Sequence, residues 1–325
     1  MKVGVIGGGA WGTALAEVAA AGGDVVLWAR EPEVVEDINS ARENRLFLPG
    51  VRLSETITAT GDLDALGDCG VLLVVAPAQH VRSVLGGVPS RDTPIVLCAK
   101  GIEAATRKLV GEVAAEVLPE APLAVLSGPT FAREVAMGLP TAITFACADR
   151  VLAERLIARI AAPRFRPYWT DDVIGAEVGG AIKNVLAIAC GVVVGRRLGE
   201  NARAALISRG FAEMLRFGIA KGARSETMRG LSGLGDLVLT CSSTQSRNFS
   251  LGHGLGEGKT ASELLSDRLT VAEGAFTAPV LQAAADELGV DMPITRAVCS
   301  LLDGSASVDM VIAELLSRPL RSEDI

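Results

Sequence analysis

Apolar and polar positions follow two different rhythms along this chain. In the first half, short β-branched or aliphatic runs recur at residues 2–6, Asp24–Trp28, Val71–Ala76, Ile95–Ala99, Leu123–Leu126 and Ala142–Ala146. Runs of this length, bounded by glycine, proline and polar clusters, read as buried strands. Helical periodicity separates several of them, from Thr13 to about Ala21, at Ala104–Val117 and at Val151–Ala161. Such alternation predicts an α/β fold with a doubly wound, largely parallel sheet and ligands at the carboxyl ends of its strands. From about Asp172 strand-like runs become scarce and a 3.6-residue period takes over. It predicts helices at 173–195, 201–222, 226–232, 235–241, 260–266, 277–288 and 307–316. The expected division is a nucleotide-binding domain over 1–172 and an all-α domain over 173–325.

One polar position interrupts the most apolar of these helices. Lys183 is the only charge from Val178 to Gly195, and Asn184 follows it. An ammonium in such a stretch must find a partner or shift toward its neutral form, and either outcome suits an acid/base group. The stretch has about the length of a bilayer span, roughly 17–25 residues. Lys183 breaks it, however, and Glu177 and Arg196-Arg197 bracket it as the ends of a core helix would be bracketed. A buried core helix is therefore expected, not a transmembrane one.

Composition narrows the chemistry further. A chain of 325 residues normally holds two domains, and 49 % hydrophobic content is ample for two cores. Six widely spaced cysteines without a C-x-x-C pair read as reduced, mostly buried thiols, and the amino terminus lacks a signal-peptide pattern, so a cytoplasmic location is expected. A net charge of −7 gives no broad basic field, which argues against nucleic acid as a partner but allows a small anion in a local basic pocket. His80 and His253 are the two histidines, and neither pairs with another ligand at metal-binding spacing, so no metal site is expected.

The glycines at the start of the chain carry the clearest motif. Gly7, Gly9 and Gly12 form G-x-G-x-x-G between a strand and an alanine-rich helix, with a second strand following. The first glycine makes the turn, the second lets a pyrophosphate approach the backbone, and the third allows helix–strand contact. This reads as a Rossmann-type dinucleotide site. After the second strand the chain runs Ala29-Arg30-Glu31-Pro32. Arg30 can hydrogen-bond a 2′-phosphate and so favours NADP, with NAD also open; the alternative is a solvent-facing arginine beside Glu31.

Further candidates lie at later strand ends and helix starts. Lys100 follows an apolar strand, where it is either functional or an ordinary surface lysine, and Ser127-Gly128-Pro129-Thr130 follows another. Asp236 and Thr240 share one helical face, so Asp236 can bond hydroxyls, pair with a lysine, or simply cap a helix. Ser246-Arg247-Asn248 at a helix start is either a phosphate grip or a solvated loop.

Together these pieces resemble the bacterial NAD(P)-dependent glycerol-3-phosphate dehydrogenase family over nearly the whole chain. The resemblance rests on Gly7–Gly12, Cys98–Gly101, Ser127–Ala132, Gly179–Asn184, Gly233–Thr240, Gln245–Asn248 and Val271–Gly274, in that order. It implies reversible hydride transfer between sn-glycerol 3-phosphate and dihydroxyacetone phosphate, supplying glycerophospholipid synthesis, and a homodimer. By motif, Lys183 would accept the alcohol proton, with Lys100 and Asp236 beside it. Substrate contacts would come from Lys100, Gly128, Thr130, Lys183, Asn184, Asp236, Thr240, Ser246, Arg247 and Asn248. Cofactor contacts would come from Gly7, Gly9, Ala10, Trp11, Gly12, Arg30, Lys100, Ala132, Arg247, Val271 and Glu273. Many members have serine where Ala10 stands, so a side-chain bond is lost there. Two other readings are weighed: a different β-hydroxyacid-type dehydrogenase, which would lack the Lys100, Gly128–Thr130 and Ser246–Asn248 segments, and a non-catalytic NAD(P) sensor, which would not need Lys183 and Asp236.

Overall fold

The structure, a computed structural model, describes residues 1–266 and 272–319. Eight strands form one sheet: β1 (Val3–Ile6), β2 (Val25–Trp28), β3 (Ile57–Thr60), β4 (Val71–Val74), β5 (Ile95–Leu97), β6 (Leu123–Ser127), β7 (Thr141–Ala146) and β8 (Phe165–Thr170). Their order is β3-β2-β1-β4-β5-β6-β7-β8. All neighbours are parallel except β6 and β7. The 128–140 connection between those two holds only the five-residue helix Ala132–Ala136, and the chain turns back there instead of crossing over. Strands β3 and β8 are absent from the sequence reading; they are the two edges of the sheet.

Alternate residues of the strands feed two cores, as the pleat requires. Val3, Val5, Leu27, Leu73 and Phe145 pack with helices Ala10–Ala20, Pro32–Ala41 and Arg150–Ile160 on one face. On the other, Ile6, Leu72, Val74, Ile95 and Val125 pack with helices Val81–Gly86 and Val110–Val117. Each such side chain contributes about 1.5–3 kcal/mol by leaving water. The strand order reverses direction at β1, between β2 and β4, which places the ligand crevice at the carboxyl end of β1.

The described chain forms two compact units. Met1–Lys100 and Lys108–Glu177 make the sheet unit; Gly101–Arg107 belongs with the residues from Val178 onward. The 101–107 excursion begins at Gly101 (φ +141°) and ends at Arg107 (φ +57°). Thr106 Oγ1 donates to Glu103 Oε2 at 2.5 Å within it. These local bonds and the left-handed Arg107 explain why the helix expected from Ala104 starts only at Val110.

The second unit is helical. Helix Val173–Gly195 runs into it from the sheet unit and is followed by helices Glu200–Ala220, Asp236–Cys241, Arg247–Gly256, Glu273–Glu287, Pro293–Leu302 and Val308–Ser317, with shorter turns between. Among the described residues, Val173–Gly195 is the one helix long and apolar enough to cross a membrane, and 83 % of its most apolar stretch is buried. Protein packing consumes that surface. A Cβ on Gly252 would lie 1.9 Å from Ile188 O, and one on Gly191 2.1 Å from Phe249 O. The two helices therefore meet backbone to backbone, in the manner of small-residue helix contacts. This contact fixes the start of Arg247–Gly256 relative to the lysine helix.

Candidate active site

At the carboxyl end of β1, the geometry fits a dinucleotide. Gly7 has φ +124°, a conformation that penalises any side chain. A Cβ on Gly12 would lie 1.8 Å from Gly7 O, whereas one on Gly9 meets nothing within 4 Å. The loop is thus closed on its inner side and open where a pyrophosphate would approach. Helix Ala10–Ala20 begins at Gly9 with no side-chain cap and no acidic residue in its first turn, so its N–H groups and dipole are offered to an anion. Trp11 Nε1 is buried without a hydrogen-bond partner, and Ala10, Trp11 and Ala132 pack at the rim of one core. Arg30, just beyond β2, donates to Glu31 through Nε at 3.2 Å and Nη2 at 2.9 Å. Val271, expected at the cofactor, lies outside the described residues.

Farther along the sheet unit, Gly128 O receives two of the candidates. Lys100 Nζ donates to it at 3.4 Å and Thr130 Oγ1 at 3.2 Å. Lys100, Gly128 and Thr130 therefore form one cluster beyond β5 and β6.

The helical unit assembles the rest. Lys183 Nζ donates to Asp236 Oδ1 at 2.5 Å, with side chains 8 % and 0 % exposed. Asp236 opens helix Asp236–Cys241 directly after a π-helical turn, Leu231–Gly235, an irregularity frequent at functional sites. Close contact explains the glycines there: a Cβ on Gly179 would lie 2.1 Å from Ser232 O. Thr240 Oγ1 donates to Asp236 O at 2.7 Å and lies 3.4 Å from its Oδ1. Asp236 stands at the first helical position after Gly235, and its carboxylate is held as a lysine partner.

Ser246 Oγ accepts from Phe249 N and caps helix Arg247–Gly256. Asn248 Oδ1 accepts from Gly274 N at 2.8 Å, next to Glu273 at the start of helix Glu273–Glu287. That bond leaves the Asn248 NH₂ as a donor. Arg247 is exposed. A Cβ on Gly274 would lie 2.6 Å from Asn184 O, so Asn184, Asn248 and Gly274 are neighbours.

This pattern of motifs is matched along the whole length of known proteins. The family model described as the NAD-dependent glycerol-3-phosphate dehydrogenase N-terminus matches residues 2–153, and the corresponding C-terminus model matches residues 172–313. The chain belongs to the NAD-dependent glycerol-3-phosphate dehydrogenase family. A relative named glycerol-3-phosphate dehydrogenase [NAD(P)+] from Erythrobacter litoralis is 61 % identical over 99 % of this chain and 98 % of its own. One from Novosphingobium aromaticivorans is 62 % identical over the same shares. The crystal structure of glycerol-3-phosphate dehydrogenase from Coxiella burnetii superposes with a TM-score of 0.93 at 39 % identity, covering 98 % of this chain and 99 % of that one.

For a member of this dehydrogenase family, several site features lie beyond the sequence reading. Cys190 lies two helical turns after Lys183, and its thiol interacts with that of Cys241. That interaction, followed by burial, pushes the Cys241 thiol up, so it stays neutral. Glu213 is another: Ile294 N and Thr295 N donate to its carboxylate at 2.6 and 3.2 Å, capping helix Pro293–Leu302. Seven-residue spacing could have flagged Cys190. No local signal links Glu213 to a helix start 81 residues away. His80 is exposed and His253 Nδ1 faces Glu257 at 3.6 Å, so neither shares the Lys183–Asp236 bond.

Proposed function

We infer that this chain interconverts dihydroxyacetone phosphate and sn-glycerol 3-phosphate with NADPH or NADH as the hydride carrier, feeding glycerophospholipid synthesis. Membership of the dehydrogenase family supports the reaction, and one observation carries the residue assignment: the buried Lys183–Asp236 pair. When bound, the nicotinamide gives hydride to the carbonyl carbon or takes it from the secondary alcohol. The protein must move the accompanying proton. Lys183 Nζ, as the neutral amine, takes it from the hydroxyl during oxidation, and as the resulting ammonium returns it to the carbonyl oxygen during reduction. Asp236 fixes Nζ in place, and Thr240 ties the first turn that carries Asp236. Cys241 is held neutral and neither histidine shares the Lys183–Asp236 bond, so neither competes with Lys183 for the proton.

Substrate phosphate is held by the Arg247 guanidinium, the Asn248 amide and N–H groups at the start of helix Arg247–Gly256. Lys100, Gly128 and Thr130 supply further substrate contacts, and the Gly7–Gly12 loop, Trp11 and Ala132 take the cofactor. Glu273 belongs to the same assignment. Residues 1–172 act as the nucleotide-binding domain and 173–325 as the substrate domain, in a cytoplasmic homodimer; sedimentation velocity tests the dimer. Binding of the phosphate, which is carried on the carbon next to the reacting one and takes no part in the transfer, positions the alcohol. The test is spectrophotometric: oxidation of NADPH and NADH with dihydroxyacetone phosphate, then with unphosphorylated dihydroxyacetone. The phosphorylated ketone is expected to react far faster, and equal rates would remove the phosphate anchor.

A further inference from the structure

Arg30 does not stand alone at the end of β2. Its Nε and Nη2, the edge of a guanidinium that takes an oxyanion two-pronged, both donate to a single oxygen, Glu31 Oε1. Glu31 is the more fixed partner. Its side chain is 25 % exposed against 75 % for Arg30, and Pro32 restricts its backbone. Although Glu31 occupies the N-cap of helix Pro32–Ala41, its side chain makes no capping bond. Among the described residues, its one ion-pair partner is Arg30.

We propose that Glu31 is a specificity-determining residue that opposes Arg30 in the choice between NADP and NAD. The proposal rests on the reading that the cofactor's adenosine end lies at the carboxyl end of β2. There a 2′-phosphate must take Arg30 from Glu31 and then sit beside the displaced carboxylate. Exchange is feasible because an exposed pair is weak and screened. The carboxylate nevertheless repels the phosphate for as long as both are present. A cofactor without the 2′-phosphate meets no such repulsion, and an acidic group at this place can accept from a ribose hydroxyl. Arg30 thus favours NADP, Glu31 favours NAD, and their adjacency leaves both usable.

The experiment measures binding of two unreactive fragments, 2′,5′-ADP and 5′-AMP, to the full-length protein by titration calorimetry. Wild type is compared with Glu31→Gln, Arg30→Ala and the double variant. Glu31→Gln is expected to tighten 2′,5′-ADP by about 3–10-fold, from removal of one like charge at a solvent-exposed site, without tightening 5′-AMP. Arg30→Ala weakens 2′,5′-ADP selectively, and the gain from Glu31→Gln shrinks in its background. An unchanged ratio of the two affinities in Glu31→Gln overturns the role of Glu31 while leaving Arg30 standing. Loss of both fragments equally in Arg30→Ala removes the 2′-phosphate contact itself. If neither fragment binds wild type, the reading of the β2 end has failed and the proposal falls with it. Circular dichroism of each variant separates these outcomes from misfolding.

Discussion

Two cation–carboxylate pairs of similar length lie in opposite surroundings. Lys183–Asp236 spans 2.5 Å with side chains 8 % and 0 % exposed; Arg30–Glu31 spans 2.9 Å with 75 % and 25 %. Distance alone would rank them alike. Burial separates their roles. Neither buried partner can leave without costing the other a close opposite charge in a site that water scarcely reaches, so the pair is fixed, as a proton-transfer group requires. The exposed pair competes with water and salt and gives way to a better anion, as a recognition group must.

The comparison is broken most directly at Lys183. Lys183→Ala is expected to lower turnover by roughly 10²–10⁴-fold, while fluorescence titration still shows NADPH binding; near-normal turnover would remove its role as proton carrier. Next in size is Asp236→Ala, which takes away the buried carboxylate that Lys183 Nζ bonds at 2.5 Å. It is expected to cost about 3–5 kcal/mol in denaturant unfolding. Replacing both partners, as Lys183→Met with Asp236→Leu, should recover much of that stability without restoring turnover. A double variant as unstable as Asp236→Ala would count against loss of the opposite charge as the cause.

Glu213 sharpens the contrast, being a buried carboxylate held by helix N–H groups. Burial pushes it up to about 7 from its ordinary 4.5, against the pull of the Ile294 and Thr295 N–H groups and Arg216. The folded state therefore holds an extra proton between those values. This contribution to stability is complete below about pH 4.5 and is lost as pH rises through 7. Across that window wild type should lose up to about 3 kcal/mol relative to Glu213→Gln. Unfolding midpoints of both proteins at pH 5 and pH 8 check this, and parallel profiles would refute it. The smallest effect belongs to Arg30→Ala, expected to change stability by about 0.2–1 kcal/mol, vanishing in high salt. A larger, salt-insensitive loss would mean that the two pairs are not different in kind.

Sequence pattern exposed the chemistry better than the edges of the fold. Lys183 is legible because a charge inside an apolar helix has few harmless explanations. Asp236 is legible as a candidate from its face, but its bond to a residue 53 positions away needed the fold. Strand β8 reads Phe-Arg-Pro-Tyr-Trp-Thr, and β3 is a four-residue Ile-Thr-Ala-Thr; as edges they need no continuous apolar run. Helix Pro293–Leu302 starts with a proline that serves equally as a breaker or a first helical residue. The antiparallel turn between β6 and β7 leaves no mark in strand composition.

The Gly101–Arg107 excursion also bears on how the chain is made. These seven residues leave the ribosome with the sheet unit yet pack with residues that follow Val178. During synthesis they wait, with Lys100 at their edge, until the helical half has emerged. Vectorial folding of the first unit therefore ends with an unfinished loop between Lys100 and Lys108. The seven residues are thus the part of the first half whose packing partners are synthesised last.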